Sequence, residues 1–179
     1  MRTSSITRWS TLAAYLALVL SGCHTATTSS DITVLPYYQE ASFTPQWYAT
    51  PRAVPAGFHS IPDFALVDQR GEVVSERDVA GKVYIANFFF AACPGICPMT
   101  MANMARVQAA FADEDEVLLI SHSVTPERDS VAILHAFAER MQALNDRWYL
   151  VTGEREQIYQ LGKYSYFADE DLGASDMNL

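Results

Sequence analysis

Phe88-Phe89-Phe90-Ala91-Ala92-Cys93-Pro94-Gly95-Ile96-Cys97-Pro98 runs from an uninterrupted apolar segment into two cysteines fenced by two prolines and a glycine. From Val83 to Phe90 the branched and aromatic residues do not alternate with polar ones, the pattern of a strand covered on both faces. Pro94 and Gly95 break regular structure between the cysteines, whereas Pro98 suits the first turn of a helix running to about Phe111. Both sulfurs then fall near a helix N-terminus, where unpaired N–H groups and the positive end of the dipole favour thiolate over thiol.

Three residues separate Cys93 from Cys97, one more than in the common Cys-x-x-Cys redox motif, so the loop can admit a metal ion or close into a disulfide. Thiolate sulfur is soft and selects Cu(I), zinc or iron–sulfur clusters. Two sulfurs are too few for a closed tetrahedral zinc site and for a cluster. A purely structural disulfide would gain little, because a bridge closing so small a loop removes little unfolded-state entropy.

The rest of the chain supplies a scaffold for that loop. Phe64 to Asp68 and Glu72 to Val74 flank Gln69-Arg70-Gly71, a hairpin signal. Val83 to Phe90 reads as the central strand, Val117 to Ser123 as a second and Trp148 to Val151 as a third. Between them, Thr125 and Pro126 read as the cap and first residue of a helix whose buried stripe is Val131, Leu134, Ala138, Met141 and Leu144, and Glu154 to Lys163 reads as a last short helix. Such alternation predicts an α/β fold with a parallel sheet and ligands at the carboxyl ends of its strands. Leu35 to Gly57, rich in Pro, Tyr and Trp without periodicity, reads as an extended arm packing its aromatics on the domain.

With 179 residues, half of them hydrophobic, the chain can build one domain with a proper core. Its formal charge of −9 argues against a nucleic-acid partner. Arg2 and Arg8 precede an apolar stretch from Leu12 to Leu20, too short to span a bilayer comfortably, and Leu20-Ser21-Gly22-Cys23 follows. This looks like a bacterial lipoprotein signal over residues 1–22, with Cys23 as the lipidated residue and 23–34 as a tether. With Cys23 consumed, a lone cysteine pair remains for an exported compartment where disulfides can persist. The expected location is therefore the extracytoplasmic side of a bacterial membrane, the periplasm in a Gram-negative cell.

Asn87-Phe88-Phe89-Phe90, the Cys93-Pro94-Gly95-Ile96-Cys97-Pro98-Met99 core and Ser123-Val124-Thr125-Pro126-Glu127-Arg128-Asp129 together resemble the Sco/SenC family. So do Leu35-Pro36-Tyr37-Tyr38, Phe43-Thr44-Pro45-Gln46-Trp47 and His59-Ser60-Ile61-Pro62-Asp63-Phe64. The resemblance implies a thioredoxin-like fold over residues 58–179, copper as the bound metal, and the copper-bearing subunit of cytochrome c oxidase, or another copper protein, as the partner. It implies Cys93 and Cys97 as two copper ligands. The family's third ligand is a histidine in a C-terminal hairpin, and no histidine follows His135 here, so the fold is expected to be C-terminally incomplete, with Val83 to Phe90 becoming an edge strand for want of that hairpin. Thr125 stands where many members carry Asp.

Other candidates are weighed on position. His122 ends the strand beside the cysteine-bearing one, so its imidazole is a candidate substitute third ligand. His59 and His135 read as structural or exposed, and Met99, Met101 and Met104 read as packing material at helical spacing. Asp129 reads as a local cap or salt-bridge partner. The expected function is that of a membrane-tethered copper metallochaperone for cytochrome c oxidase. The alternative is an extracytoplasmic thiol-disulfide oxidoreductase, one cysteine attacking and the other resolving.

Overall fold

The computed structural model describes residues 35–168. The lipoprotein signal, Cys23, the tether and residues 169–179 lie outside the described residues. Among the described residues no helix is long and apolar enough to cross a membrane.

The domain opens with a hairpin, β1 (Ala65–Val67) and β2 (Val73–Ser75), paired antiparallel with Leu66 opposite Val74. Its turn is built around the buried Asp68 carboxylate, which accepts from the backbone N–H groups of Arg70 (2.8 Å) and Glu72 (3.0 Å) and pairs with the Arg70 guanidinium. Gly71 supplies the left-handed φ of +84° that the turn requires. The short helix α1 (Glu76–Val79) follows at once, its start satisfied by Asp78, which accepts from both the backbone and the hydroxyl of Ser75.

Three parallel strands form the main sheet in the order β3 (Val83–Phe89), β4 (Val117–Ser123), β5 (Trp148–Val151). Helix α2 (Cys97–Ala110) connects β3 to β4, α3 (Val131–Met141) connects β4 to β5, and α4 (Arg155–Gln160) runs on into a π-helical turn, Leu161–Ser165. Register sorts the core into two layers. On one face Phe89, Leu119 and Leu150 pack with Cys97, Met101 and Met104 of α2 and Leu134 and Phe137 of α3. On the other, Leu118, Ile120 and Val151 pack with Phe64, Leu66 and Val74 of the hairpin and Ile158 of α4. Each fully buried Leu, Ile or Phe contributes about 1.5–3 kcal/mol.

The free side of β5 is closed by the hairpin rather than by another full strand. Val67 and Thr152 exchange two backbone hydrogen bonds of 2.8 Å. Gln69, 1% exposed, continues the ladder with its side chain: its amide NH2 donates to the carbonyl of Trp148 (3.0 Å), and its carbonyl accepts from the N–H of Leu150 (2.8 Å).

The structure corrects four sequence expectations. β3 is the expected edge of the sheet among the described residues, but it is not covered on both faces: within it only Phe89 is fully buried, while Val83 is largely exposed. The third helix starts at Val131, because Thr125 accepts from the N–H groups of Arg128 and Asp129 and closes a separate turn before Ser130 begins the helix. Leu144 lies beyond that helix and is exposed, while Phe137 takes its place in the buried stripe. The arm doubles back instead of extending: Tyr37 and Gln46 exchange two 2.8 Å backbone bonds, and Tyr37, Tyr48 and Phe58 stack edge to face.

Replacing Gln69 with Leu keeps the volume but leaves the Trp148 carbonyl and the Leu150 N–H buried without partners. Each unmade bond costs about 1–3 kcal/mol. We expect Gln69→Leu to lower unfolding stability by about 2–5 kcal/mol in urea titration, whereas Val73→Thr on the exposed side of the hairpin changes it little.

Candidate metal centre

The cysteine loop begins where β3 ends. Phe90 to Cys93 forms a tight turn closed by the Cys93 N–H on the Phe90 carbonyl (3.2 Å), and Pro94-Gly95-Ile96 then leads into α2, of which Cys97 is the first residue. Pro98 at the second position needs no N–H partner, which is why the helix can begin there. Both cysteines are free thiols, Cys93 half-buried and Cys97 buried against Phe89 and Met101.

Their environments differ in sign. The neighbouring Cys97 thiol, and after it the backbone N–H groups of Cys97 and Gly95, hold Cys93 below the ordinary thiol range against the opposing effect of desolvation. Burial first, and then the bond to Cys93, push Cys97 above that range, with the Phe90 N–H acting the other way. The pair is thus built so that one sulfur ionises readily and the other shares its proton with it. Two adjacent sulfurs with backbone N–H groups aimed at them suit a soft cation, and they equally suit thiol exchange.

Around the loop, Asp129 reaches in from the turn after β4. Its Oδ2 accepts from the Ala91 N–H (3.1 Å), the Ser123 hydroxyl (2.6 Å) and the Thr125 hydroxyl (3.1 Å). Beneath the loop a buried polar chain crosses the sheet: Trp148 Nε1–H donates to Ser121 Oγ (2.9 Å), Ser121 donates to Asn87 Oδ1 (2.6 Å), and Asn87 Nδ2 reaches Met101 Sδ at 3.5 Å. Sequence reading did not single out Asn87 as part of this chain. Its place at the third residue before Phe90, polar within an apolar strand, was the signal available.

His122 is not brought to the cysteines. It pairs with Phe88 across the ladder, and its ring stacks on Phe88 (4.9 Å) and lies beside Tyr166 (5.4 Å), on the face of the sheet opposite to that of Phe89 and Cys97. Its Nδ1 meets the Asn87 carbonyl at 3.3 Å, and among the described residues its Nε2 is the buried side-chain nitrogen or oxygen that has no partner. The substitute-ligand expectation fails on strand parity. His59 bonds the Ser165 carbonyl through Nε2 (2.9 Å), and His135 sits by Glu139 on the exposed side of α3. Met101 and Met104 are core, whereas Met99 is exposed. Among the described residues no three His, Cys, Asp or Glu side chains gather around one point where a metal could be held.

A family model described as SCO1/SenC matches residues 53–176. The chain belongs to the SCO1/SenC family. Solved structures that resemble it include three bacterial Sco proteins. One is a SCO1/SenC family lipoprotein from Bacillus anthracis, 32% identical with a TM-score of 0.57, covering 61% of this chain and 66% of that one. A second, described for a disulfide switch in BsSco, a member of the Sco family of cytochrome c oxidase assembly proteins, is 32% identical with a TM-score of 0.56 over 61% and 64% of the two chains. The third, Bradyrhizobium japonicum ScoI with copper bound, is 26% identical with a TM-score of 0.53 over 60% and 67%. These likenesses give the SCO1/SenC chain a thioredoxin-like fold. The chain spans about half the length of the curated relatives it matches, 50% of a Bacillus subtilis SCO1 homologue and 42% of a bovine mitochondrial SCO2 homologue.

Burial lowers the His122 pKa from 6.5 to about 4, only partly offset by the Asn87 carbonyl. Between those values the unfolded chain binds a proton that the folded chain refuses, so stability must fall as pH drops from about 6.5 through 4. The full effect is on the order of 3 kcal/mol. Urea unfolding at pH 7 and pH 4 should show the parent losing about that much more than His122→Leu. Equal losses would mean that the imidazole takes up its proton within the folded protein.

Proposed function

We propose that this chain is a copper-binding protein that serves the assembly of the cytochrome c oxidase copper centre, with Cys93 and Cys97 as its sulfur ligands. The observation that carries the reading is the pair of free thiols on one turn, of which Cys93 is held towards thiolate by the Cys97 thiol and then by the N–H groups of Cys97 and Gly95. Soft, adjacent thiolates are the donors that prefer Cu(I) to harder divalent cations. Support also comes from the relatives: one solved Sco structure is described with copper bound, and another as a member of a family of cytochrome c oxidase assembly proteins. Bound copper would be cargo held between the sulfurs. This chain's own part is to present two deprotonated sulfurs, keep them adjacent through the Phe90–Cys93 turn and the start of α2, and exclude water from the Cys97 side through Phe89 and Met101. A partner copper protein would receive the ion.

The second reading keeps the same two sulfurs and rests on their opposite shifts. As an oxidoreductase, the Cys93 thiolate would attack a partner's disulfide and release one partner thiolate. Cys97 would then displace the second, leaving the partner as a dithiol and this chain with a Cys93–Cys97 disulfide. The relative described for a disulfide switch supports this.

Lipid attachment at Cys23 and a place on the extracytoplasmic face of a bacterial membrane complete the proposal. Leu20-Ser21-Gly22-Cys23 after a short apolar stretch supports it, as does the description of the Bacillus anthracis relative as a lipoprotein. Two acyl chains would give stable attachment where one would not.

Competition of the reduced protein with a chromophoric Cu(I) chelator under anaerobic conditions should give one copper per chain. Cys93→Ser and Cys97→Ser should each weaken affinity roughly 100-fold or more, given the several kcal/mol that each ligand brings to a thiolate metal site. Parental copper affinity in either variant, together with lost turnover of a disulfide substrate, would favour the oxidoreductase. Separately, mass spectrometry of the protein from membranes of an expressing bacterium should find an N-terminal Cys23 carrying diacylglycerol. A mature chain starting elsewhere would remove the anchor.

A further inference from the structure

We infer that Asp129 is a positioning residue for the thiol pair: its carboxylate fixes the start of the cysteine loop and thereby the spacing of Cys93 and Cys97. The inference rests on the copper reading for its affinity readout and on geometry alone for its substance. Asp129 is 3% exposed and stands 38 residues from Ala91 in sequence, yet a single oxygen, Oδ2, holds the Ala91 N–H at 3.1 Å. That N–H lies inside the Phe90–Cys93 turn, directly after the residue whose own N–H faces the Cys97 sulfur and two residues before Cys93 itself. The turn therefore touches both sulfurs, and the carboxylate holds the turn.

The other end of this contact is equally fixed. Ser123 at the tip of β4 and Thr125 after it donate their hydroxyls to the same oxygen, and Ser123 Oγ accepts from the Thr125 N–H at 3.2 Å. Val124 N–H bonds the Phe89 carbonyl at 2.8 Å, so the two strand ends are tied by backbone one residue before the carboxylate takes over. Ser123 and Thr125 give Asp129 one place to stand, and from it the carboxylate holds the loop at Ala91. Among the described residues its hydrogen bonds go to Ala91, Ser123 and Thr125 and none to either thiol, so it acts through the loop. Its charge matters: three donors converge on one oxygen, which an ionised carboxylate accepts and an amide accepts poorly.

The test uses Asp129→Asn and Asp129→Ala in the full chain, with Ile158→Ala, buried on the opposite face of the sheet, as a destabilised control. Two quantities are read: Cu(I) affinity by chelator competition, and the equilibrium constant for forming the Cys93–Cys97 disulfide from two thiols with glutathione disulfide, which releases two glutathione thiols. Loss of an outer partner that orients ligands costs roughly 10- to 100-fold in metal affinity. Asp129→Ala should show that loss, with a drop of roughly 10-fold in the disulfide constant as the two thiols lose their mutual orientation. Asp129→Asn should fall between it and the parent, and it carries the test if the alanine variant does not fold. Ile158→Ala should leave both quantities at parental values. Parental values in Asp129→Asn and Asp129→Ala would overturn the inference, as would equal shifts in Ile158→Ala. If the parent itself does not hold Cu(I), the copper reading fails and the disulfide constant alone decides the positioning role.

Discussion

In the parallel ladder between β3 and β4, Phe88 lies opposite His122 and Phe89 opposite Ser123. Side chains alternate between faces, so this register sends Phe88 and His122 to one side of the sheet and Phe89 to the side where Cys97, Met101 and Leu134 pack. A slip of β4 by one residue would turn its side chains to the opposite faces. It would bring the His122 imidazole under the cysteine loop while Phe89 kept its place beside the start of α2. The same register puts Ser123 at the end of β4, beside the point where β3 enters the thiol turn, and that adjacency lets Asp129 reach Ala91.

The thiol chemistry is a local consequence of this placement. Cys97 begins a helix whose next turns are held by Met101 and Met104 in the core, and its side chain belongs to the same buried cluster. Cys93 sits on the turn before it, where N–H groups from Gly95 and Cys97 converge. Burial and then the neighbouring Cys93 raise the inner sulfur, while the Cys97 thiol and then the backbone N–H groups of Cys97 and Gly95 lower the outer one.

Much of this was legible in the sequence. The limits of β4 and β5 follow from short apolar runs bounded by polar residues, and the hairpin from Gln69-Arg70-Gly71 between two β-rich segments. The cysteine loop and the helix beginning beside Pro98 were set by proline placement. What was not legible depends on contacts distant in sequence. Thr125-Pro126 carries every local signal of a helix start, yet the Ser123–Asp129 contact holds that stretch in a turn and delays the helix to Val131. Gln69 reads as a loop residue because only the folded hairpin brings its amide alongside β5. The side taken by His122 could have been deduced by counting parity from Phe89, but only once the β3–β4 register was known.

The unequal exposure of the two cysteines also sets an order of encounter. A large reactant arriving from solvent meets Cys93, which is half-buried, before Cys97, which is buried in a cluster with Phe89 and Met101. On the oxidoreductase reading, a protein disulfide would engage Cys93 first, and its release would wait on the inner sulfur. On the copper reading, a bare ion would be small enough to touch both. Size alone would then separate two kinds of visitor at the same pair of atoms: one handled in sequence, the other grasped in a single step.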